Sequence, residues 1–165
     1  MRKKLLGLLV GMSIIFHTSI VSAFDIQQWH EDYMDEHFLK VKMFHKLEEI
    51  NRQYNLNVEY LTPMEFEVTF YSDLNCENGY GNLTATGDVL ASGMVANNYF
   101  DFGTQLYIEG LGLKTVKDRG SKKHFSNKNR IDVFVPRNYG ESDDEYYTRV
   151  NNMGRVIMQG YILED

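Results

Sequence analysis

The chain has 165 residues, of which 43% are hydrophobic, 24% are charged and 13% are aromatic. This length predicts one domain with a small appendage, and the composition is that of a globular protein and not of a disordered chain. The formal charge of −6 argues against a general nucleic-acid binder, which needs a basic surface. The single cysteine excludes an intramolecular disulfide framework and a cysteine-rich zinc site.

Residues 1–23 have the pattern of a secretory signal peptide. Three basic residues at 2–4 precede an apolar run over 5–16, and the small residues at 21–23 form a cleavage pattern. The run is shorter than the ~20 residues of a transmembrane helix, so we predict cleavage after Ala23. An uncleaved membrane anchor is the alternative, and either reading places the body of the protein outside the cytoplasm.

Residues 24–58 form a predicted helical lead segment. From Asp25 to Tyr54 there is no proline or glycine, and apolar residues recur mostly at steps of three and four. This pattern predicts one amphipathic helix, or two with a break near Glu36. Three histidines follow at spacings of seven and eight instead of the four typical of helical metal pairs, so we interpret them as solvated or half-buried. They are His30, His37 and His45.

Residues 59–165 form a predicted β-barrel or sandwich, because the apolar period changes to two and glycine-marked turns recur. Alternation predicts strands over 64–71, 104–109, 130–135 and 156–163, and a short helix over 141–152. Gly160 within the last strand indicates a bulge or a close backbone approach. The residues predicted to fill the core are Val68, Leu106, Ile131 and Val133.

Two aspartates are candidates for acid–base chemistry. Alternation in the strand over 130–135 places Asp132 on the face opposite the branched residues, so it projects from the core. Asp118 precedes Gly120 at a strand end, where a tight turn can bring it near the next strand. Two close carboxylates raise the pKa of one of them, which a general acid at neutral pH requires. The structural alternative is that Asp118 forms a turn and Asp132 pairs with Arg130.

The region around Cys76 gives two negative predictions. We interpret Cys76 as a buried or half-buried thiol, because no histidine has a context that would make it a nucleophile. Asp73, Asn75 and Glu77 alternate like the start of a calcium loop, but position twelve is Thr84 and not a glutamate. We therefore expect no metal and no cofactor.

An ordered series of short motifs resembles the 3D domain, a family named for three aspartates. It occurs in bacterial stationary-phase survival proteins and in the catalytic barrel of membrane-bound lytic transglycosylase A. The motifs are EVTFYS at 67–72, LTATG at 83–87, GMVA at 93–96, FGTQLYI at 102–108, GLG at 110–112, KDRG at 117–120, NRIDVF at 129–134 and the closing strand from 154. The resemblance covers residues 66–163 and leaves the leader and the helical lead segment uncovered.

The resemblance implies a six-stranded double-psi β-barrel and an exported enzyme that acts on peptidoglycan at the cell wall. It implies cleavage between N-acetylmuramic acid and N-acetylglucosamine with formation of a 1,6-anhydro ring, and a monomer whose partners are glycan strands. Asp132 carries over as the catalytic general acid/base and Asp118 as the supporting carboxylate. The candidate substrate-binding residues are Tyr71, Thr84, Thr86, Gly87, Asn98, Asp101 and Arg130.

The alternative function is a non-catalytic glycan-binding or wall-loosening barrel, similar to those of expansins. Asn98 stands where the family has its first aspartate, with Asp101 close by, and the family's I-K-G motif is missing. These departures favour the binder, whereas the retained Asp118 and Asp132 favour the enzyme. Under either reading aromatic side chains stack on sugars, and the candidates are Tyr71, Tyr80, Tyr99, Phe100, Tyr107 and Phe134.

Overall fold

The computed structural model describes residues 28, 31–79, 81–122, 125 and 127–165. The predicted signal peptide and its cleavage site lie outside these residues. The chain divides into two compact units, Met1–Lys46 and Leu47–Asp165. Within the described ranges, no helix has both the length and the apolar character that a membrane crossing needs.

Helix α1 spans residues 31–54 and continues without interruption through Glu36. It ends at Asn55, which adopts the left-handed conformation with φ 52°. In the second unit, Ile50 is fully buried and the Tyr54 hydroxyl accepts a hydrogen bond of 3.3 Å from the Leu113 backbone N–H. The last turns of α1 therefore belong to the same compact unit as the strands.

Six strands form a closed barrel, which confirms the mainly β class predicted from the alternation. They are β1 Tyr60–Tyr71, β2 Met94–Ala96, β3 Gln105–Ile108, β4 Gly112–Asp118, β5 Arg130–Phe134 and β6 Val156–Glu164. Around the barrel the order is β1, β5, β2, β4, β3, β6. The pairs β1/β5 and β2/β4 are parallel and the other pairs are antiparallel.

The barrel core holds all four residues that the alternation predicted. Its buried members are Phe66, Val68, Val95, Leu106, Ile108, Val116, Ile131 and Val133. The four predicted strands are present, whereas β2 and β4 were not predicted. Strand β2 has only three residues, and β4 places Lys114, Thr115 and Lys117 among its apolar residues, so neither shows a clear period of two.

Gly160 lies where β6 crosses close to β3, which confirms the predicted close backbone approach. A Cβ at this position would lie 2.4 Å from the Tyr107 carbonyl oxygen and 2.9 Å from Cε2 of Phe66. Both distances are too short for a Cβ atom, so any other residue would force the strands to shift apart.

Helix α3, Asp143–Asn152, confirms the predicted helix before the last strand. Ser142 and Glu145 form a capping box at its start. The buried Tyr146 hydroxyl donates to the Val135 carbonyl and accepts a hydrogen bond of 3.4 Å from the Asp73 N–H. This one side chain therefore ties α3 to the segments that follow β5 and β1.

The prediction that Cys76 is buried or half-buried was wrong, because this residue is exposed. It lies in helix α2, Asn75–Asn78, a single turn on the surface with no buried residue. Gly79 ends this turn in the left-handed conformation with φ 74°. So short a helix cannot shield a side chain of its own.

Candidate active site

Asp118 and Asp132 line the same open cavity, of about 620 Å³. We call this cavity the aspartate pocket. Its walls are Tyr71, Glu77, Asn78, Ala85, Ala96, Asp118, Arg119, Gly120, Ser121, Phe125, Arg130 and Asp132.

Strand register brings the two aspartates together. Ala96 of β2 pairs with Asp118 on one side and with Asp132 on the other. Residues paired across neighbouring strands point to the same face, and strands lie about 4.8 Å apart, so the two Cα atoms are separated by roughly 10 Å. Ala96 contributes only a methyl group between them and leaves the space of the pocket open.

A bulge in β4 turns Asp118 towards the pocket. Val95 pairs with Val116, but Ala96 pairs with Asp118, so Lys117 is an extra residue on the β4 side. In a regular strand without a bulge, Val116 and Asp118 would point to the same face, because they are two residues apart, and both would face the core. The bulge reverses this relation, which leaves Val116 in the core and Asp118 on the outer face.

Asp118 is 4% exposed and uses both of its carboxylate oxygens in hydrogen bonds. The backbone N–H groups of Ala85 and Arg119 each donate to Oδ1 at 2.8 Å. The Tyr71 hydroxyl donates to Oδ2 at 3.0 Å. Burial and the adjacent Asp118 charge raise the pKa of Tyr71, so the phenol stays protonated and remains a donor.

Asp132 has different surroundings, although it lines the same pocket. It is half-buried, and the Thr69 hydroxyl donates to Oδ1 at 2.9 Å. Burial raises the pKa of Asp132 from its ordinary 3.8 to about 6, against the opposing effects of the Thr69 hydrogen bond and the Arg130 charge. The charges of Glu77 and Asp118 also raise it. Among the described residues, no group donates a hydrogen bond to Oδ2.

Glu77 is a third carboxylate in the pocket, and it was not among the predicted site residues. Its Oε2 accepts hydrogen bonds from the Ser72 N–H, at 3.0 Å, and from the Ser72 hydroxyl. The Asn151 side chain donates to Oε1 at 3.2 Å. In the sequence, the alternation of Asp73, Asn75 and Glu77 resembles the start of a calcium loop and does not indicate a pocket residue. Within the described residues no cluster of His, Cys, Asp and Glu is placed to hold a metal ion.

Arg130, a predicted substrate-binding residue, lines the aspartate pocket. Its Nη1 lies 3.7 Å from the Glu67 carboxylate, and its guanidinium carbon lies 5.2 Å from the centre of the Phe125 ring. Its buried Nε atom has no hydrogen-bond partner among the residues that the structure describes. Arg119, also on the wall, stacks 3.6 Å above the Phe102 ring.

The loop over residues 84–87, which contains the predicted threonines and glycine, supports the site through a contact with Asp118. Thr84 is buried, and its carbonyl accepts a 2.9 Å hydrogen bond from the Gly87 N–H, where φ is +83°. The hydroxyl groups of Thr84 and Thr86 share a hydrogen bond of 2.8 Å. Through this turn the loop presents the Ala85 N–H to Asp118.

Asn98 and Asp101 do not join the two aspartates in the pocket. The Asn98 side chain accepts from the Gly120 N–H at 2.9 Å and donates to the Gly120 carbonyl at 3.0 Å, so it fixes a wall residue of the pocket. Asp101 is exposed and lines a separate cavity with Tyr99 and Glu164.

The aromatic candidates for sugar stacking divide by burial. Tyr71, Tyr107 and Phe134 are buried, as expected of most aromatic side chains in a small barrel, and of these three Tyr71 lines the aspartate pocket. Tyr80 lies outside the described residues. Tyr99 is exposed and lines a neighbouring cavity together with Arg119, Gly120 and Phe125, which are also walls of the aspartate pocket. The aromatic walls of the aspartate pocket are Tyr71 and the unpredicted Phe125.

No protein-family model matches the chain, and no curated protein matches it either. The likeness to the 3D domain therefore depends on the ordered motifs alone. The geometry adds two aspartates in one pocket, one fully hydrogen-bonded and one half-buried with a raised pKa.

Proposed function

We propose that this chain is an exported lytic transglycosylase-like enzyme that cleaves the bond between N-acetylmuramic acid and N-acetylglucosamine in peptidoglycan. The observation that carries the proposal is the position of Asp132 in an open pocket with a pKa of about 6. A carboxyl group of that pKa is about half protonated near pH 6 and exchanges its proton readily there, whereas an ordinary aspartate is almost fully ionised, and general acid–base catalysis requires such exchange.

We further propose that the barrel is of the double-psi type. Six strands close it, and two of the neighbouring pairs are parallel in an otherwise antiparallel barrel. Parallel neighbours need crossover connections, and these pairs join strands that are distant in sequence. The pocket lies outside β2, between the strands that carry the two aspartates.

In the proposed reaction Asp132 acts twice on one substrate. It first donates its proton to the glycosidic oxygen, and the bond to the muramyl C1 breaks. Its carboxylate then accepts the proton of the muramyl C6 hydroxyl as that oxygen bonds to C1, which closes the 1,6-anhydro ring and regenerates the acid. Thr69 holds Oδ1 at 2.9 Å, so Oδ2 is the oxygen that exchanges the proton.

Asp118 supports this chemistry without transferring a proton. Its negative charge raises the pKa of Asp132, and its three hydrogen bonds fix Tyr71, Ala85 and Arg119 on the pocket wall. A volume of about 620 Å³ lies within the range of small-molecule sites, ~300–1,000 Å³.

The second candidate function is glycan binding without cleavage. It is favoured by the hydrogen bonds of Asp118, since a carboxylate with both oxygens engaged also suits a purely structural role. In that case the pocket holds the glycan strand and Asp132 transfers no proton.

Incubation of the purified protein with peptidoglycan sacculi separates the two candidates. Mass spectrometry of the soluble products should find muropeptides that end in 1,6-anhydro-N-acetylmuramic acid, and sacculi kept without protein give the background. Co-sedimentation with sacculi without such products would support the binder. If the protein releases no such products and does not sediment with the sacculi, both candidates are refuted.

A further inference from the structure

Helix α1 carries an exposed apolar face in its first half. On a helix of 3.6 residues per turn, Met34, Phe38, Val41 and Phe44 fall within an arc of about 120°. Their exposed fractions are 44%, 73%, 43% and 55%. We call these four residues the α1 apolar face. Contiguous exposed apolar surface of this kind marks a binding surface.

The charges of the same helix are separated along its length. The acids come first, with no lysine or arginine in 31–39, and the lysines follow, with no aspartate or glutamate in 37–47. The helix macrodipole favours acids near the start, but it does not account for the lysines, since the helix continues to residue 54. The residues are Glu31, Asp32, Asp35 and Glu36, then Lys40, Lys42 and Lys46.

We propose that the α1 apolar face binds the same face of a second copy of this chain, with the two helices antiparallel. An antiparallel pair places the acidic half of each helix against the basic half of the other, and two-fold symmetry repeats the contact. A parallel pair would place like charges together. The proposal is independent of the enzymatic function, and it differs from the monomer expected from the sequence.

The positions of two charged residues fix the register. Asp35 and Lys42 lie at the same edge of the α1 apolar face, about 20° apart around the helix. When the two helices cross between residues 38 and 39, Asp35 of each copy faces Lys42 of the other. The same register brings the two Phe38 side chains, the most exposed of the face, together at the centre.

Sedimentation velocity of the full chain over a range of concentrations tests the proposal. The wild type should reach twice the mass of one chain. Asp35→Lys or Lys42→Asp creates two like-charged contacts at the surface, so we expect the dissociation constant to rise by about tenfold. The double variant Asp35→Lys/Lys42→Asp should restore it. Phe38→Glu should give a monomer.

Asp32→Lys is the matched control, because it makes the same charge change on the side of the helix opposite the α1 apolar face. It should leave the dissociation constant unchanged, and circular dichroism should show equal helix content in all variants. A monomeric wild type, a double variant that is not rescued, or a dimer unaffected by Phe38→Glu would each overturn the proposal. Sedimentation of a monomer with anionic phospholipid vesicles would assign the face to a membrane surface instead.

Discussion

At the scale of single residues, the two aspartates differ because their neighbours differ. Asp118 meets three donors, whereas Asp132 meets one hydroxyl and is surrounded by partly desolvated space and two further carboxylates. Desolvation disfavours the charged form of a carboxyl group and raises its pKa. Two residues of the same type therefore have different surroundings in one pocket.

The raised pKa of Asp132 has a cost in stability that depends on pH. Below pH 3.8 the carboxyl group is protonated in the folded and unfolded states, so it has no effect. As the pH rises from 3.8 to about 6 the unfolded state is deprotonated while the folded state keeps the proton, so the free energy of unfolding falls by roughly 3 kcal/mol in total and levels off above pH 6. Asp132→Asn should therefore be more stable than wild type at pH 8 and similar at pH 4, as measured by urea denaturation. Equal stability at both pH values would contradict the desolvated environment.

Asp118 is expected to matter for stability through its acceptor oxygens. Asp118→Ala leaves the N–H groups of Ala85 and Arg119 without their acceptor, at a cost of roughly 1–3 kcal/mol for a buried unsatisfied group. Asp118→Asn retains Oδ1 and should lose less.

In the pH profile of activity, Asp118→Asn should move the limb that reports deprotonation of Asp132 to lower pH, because a negative charge that raises the Asp132 pKa is removed. An unmoved limb would exclude this coupling.

At the scale of elements, the bulge in β4 decides whether a site exists. Alternation alone would place Asp118 on the face of Val116, inside the core, where a carboxylate without donors is costly. Because Lys117 is an extra residue in β4, Asp118 at the end of the strand lies on the outer face instead of the core face. Strand β2 has only three residues, but it is long enough to align the two aspartates, because Ala96 pairs with both of them.

The crossing of β6 and β3 gives a test at the element scale. Gly160→Ala places a methyl group 2.4 Å from a backbone oxygen that cannot rotate away, so the strands must separate. We expect a loss of about 1–3 kcal/mol in the free energy of unfolding, the usual cost of overpacking. Ile157→Ala on the same strand is the control, because Ile157 is 57% exposed and should change stability little. Equal effects of the two substitutions would contradict the close approach.

At the scale of the whole molecule, the sequence predicted those parts of the barrel in which one face of a strand is buried. Strands β1, β3, β5 and β6 alternate because each presents one face to the core, and Gly160 marks the crossing. The order of strands around the barrel depends on pairings between distant segments, which local periodicity does not contain. The resemblance to the 3D domain supplied the strand number, but not the register.

The candidate site was predictable only in part for the same reason. Asp132 could be placed because regular alternation decides its face, whereas the position of Asp118 depends on a bulge that appears only when β4 pairs with β2. Glu77 enters the pocket from a single helical turn that has no periodicity. Cys76 lies in the same turn, and the burial predicted from its residue type was wrong.

Asp132 is the proposed source of the proton that cleaves the glycan strand. The most direct measurement is the rate of 1,6-anhydro-muropeptide release from sacculi by wild type and by Asp132→Asn, with folding verified by denaturation. We expect wild-type activity to fall as the pH rises through about 6, and Asp132→Asn to lose about 10²–10⁴-fold, the usual contribution of general acid–base catalysis. Release by Asp132→Asn at the wild-type rate, or an inactive Asp118→Asn beside an active Asp132→Asn, would contradict the account.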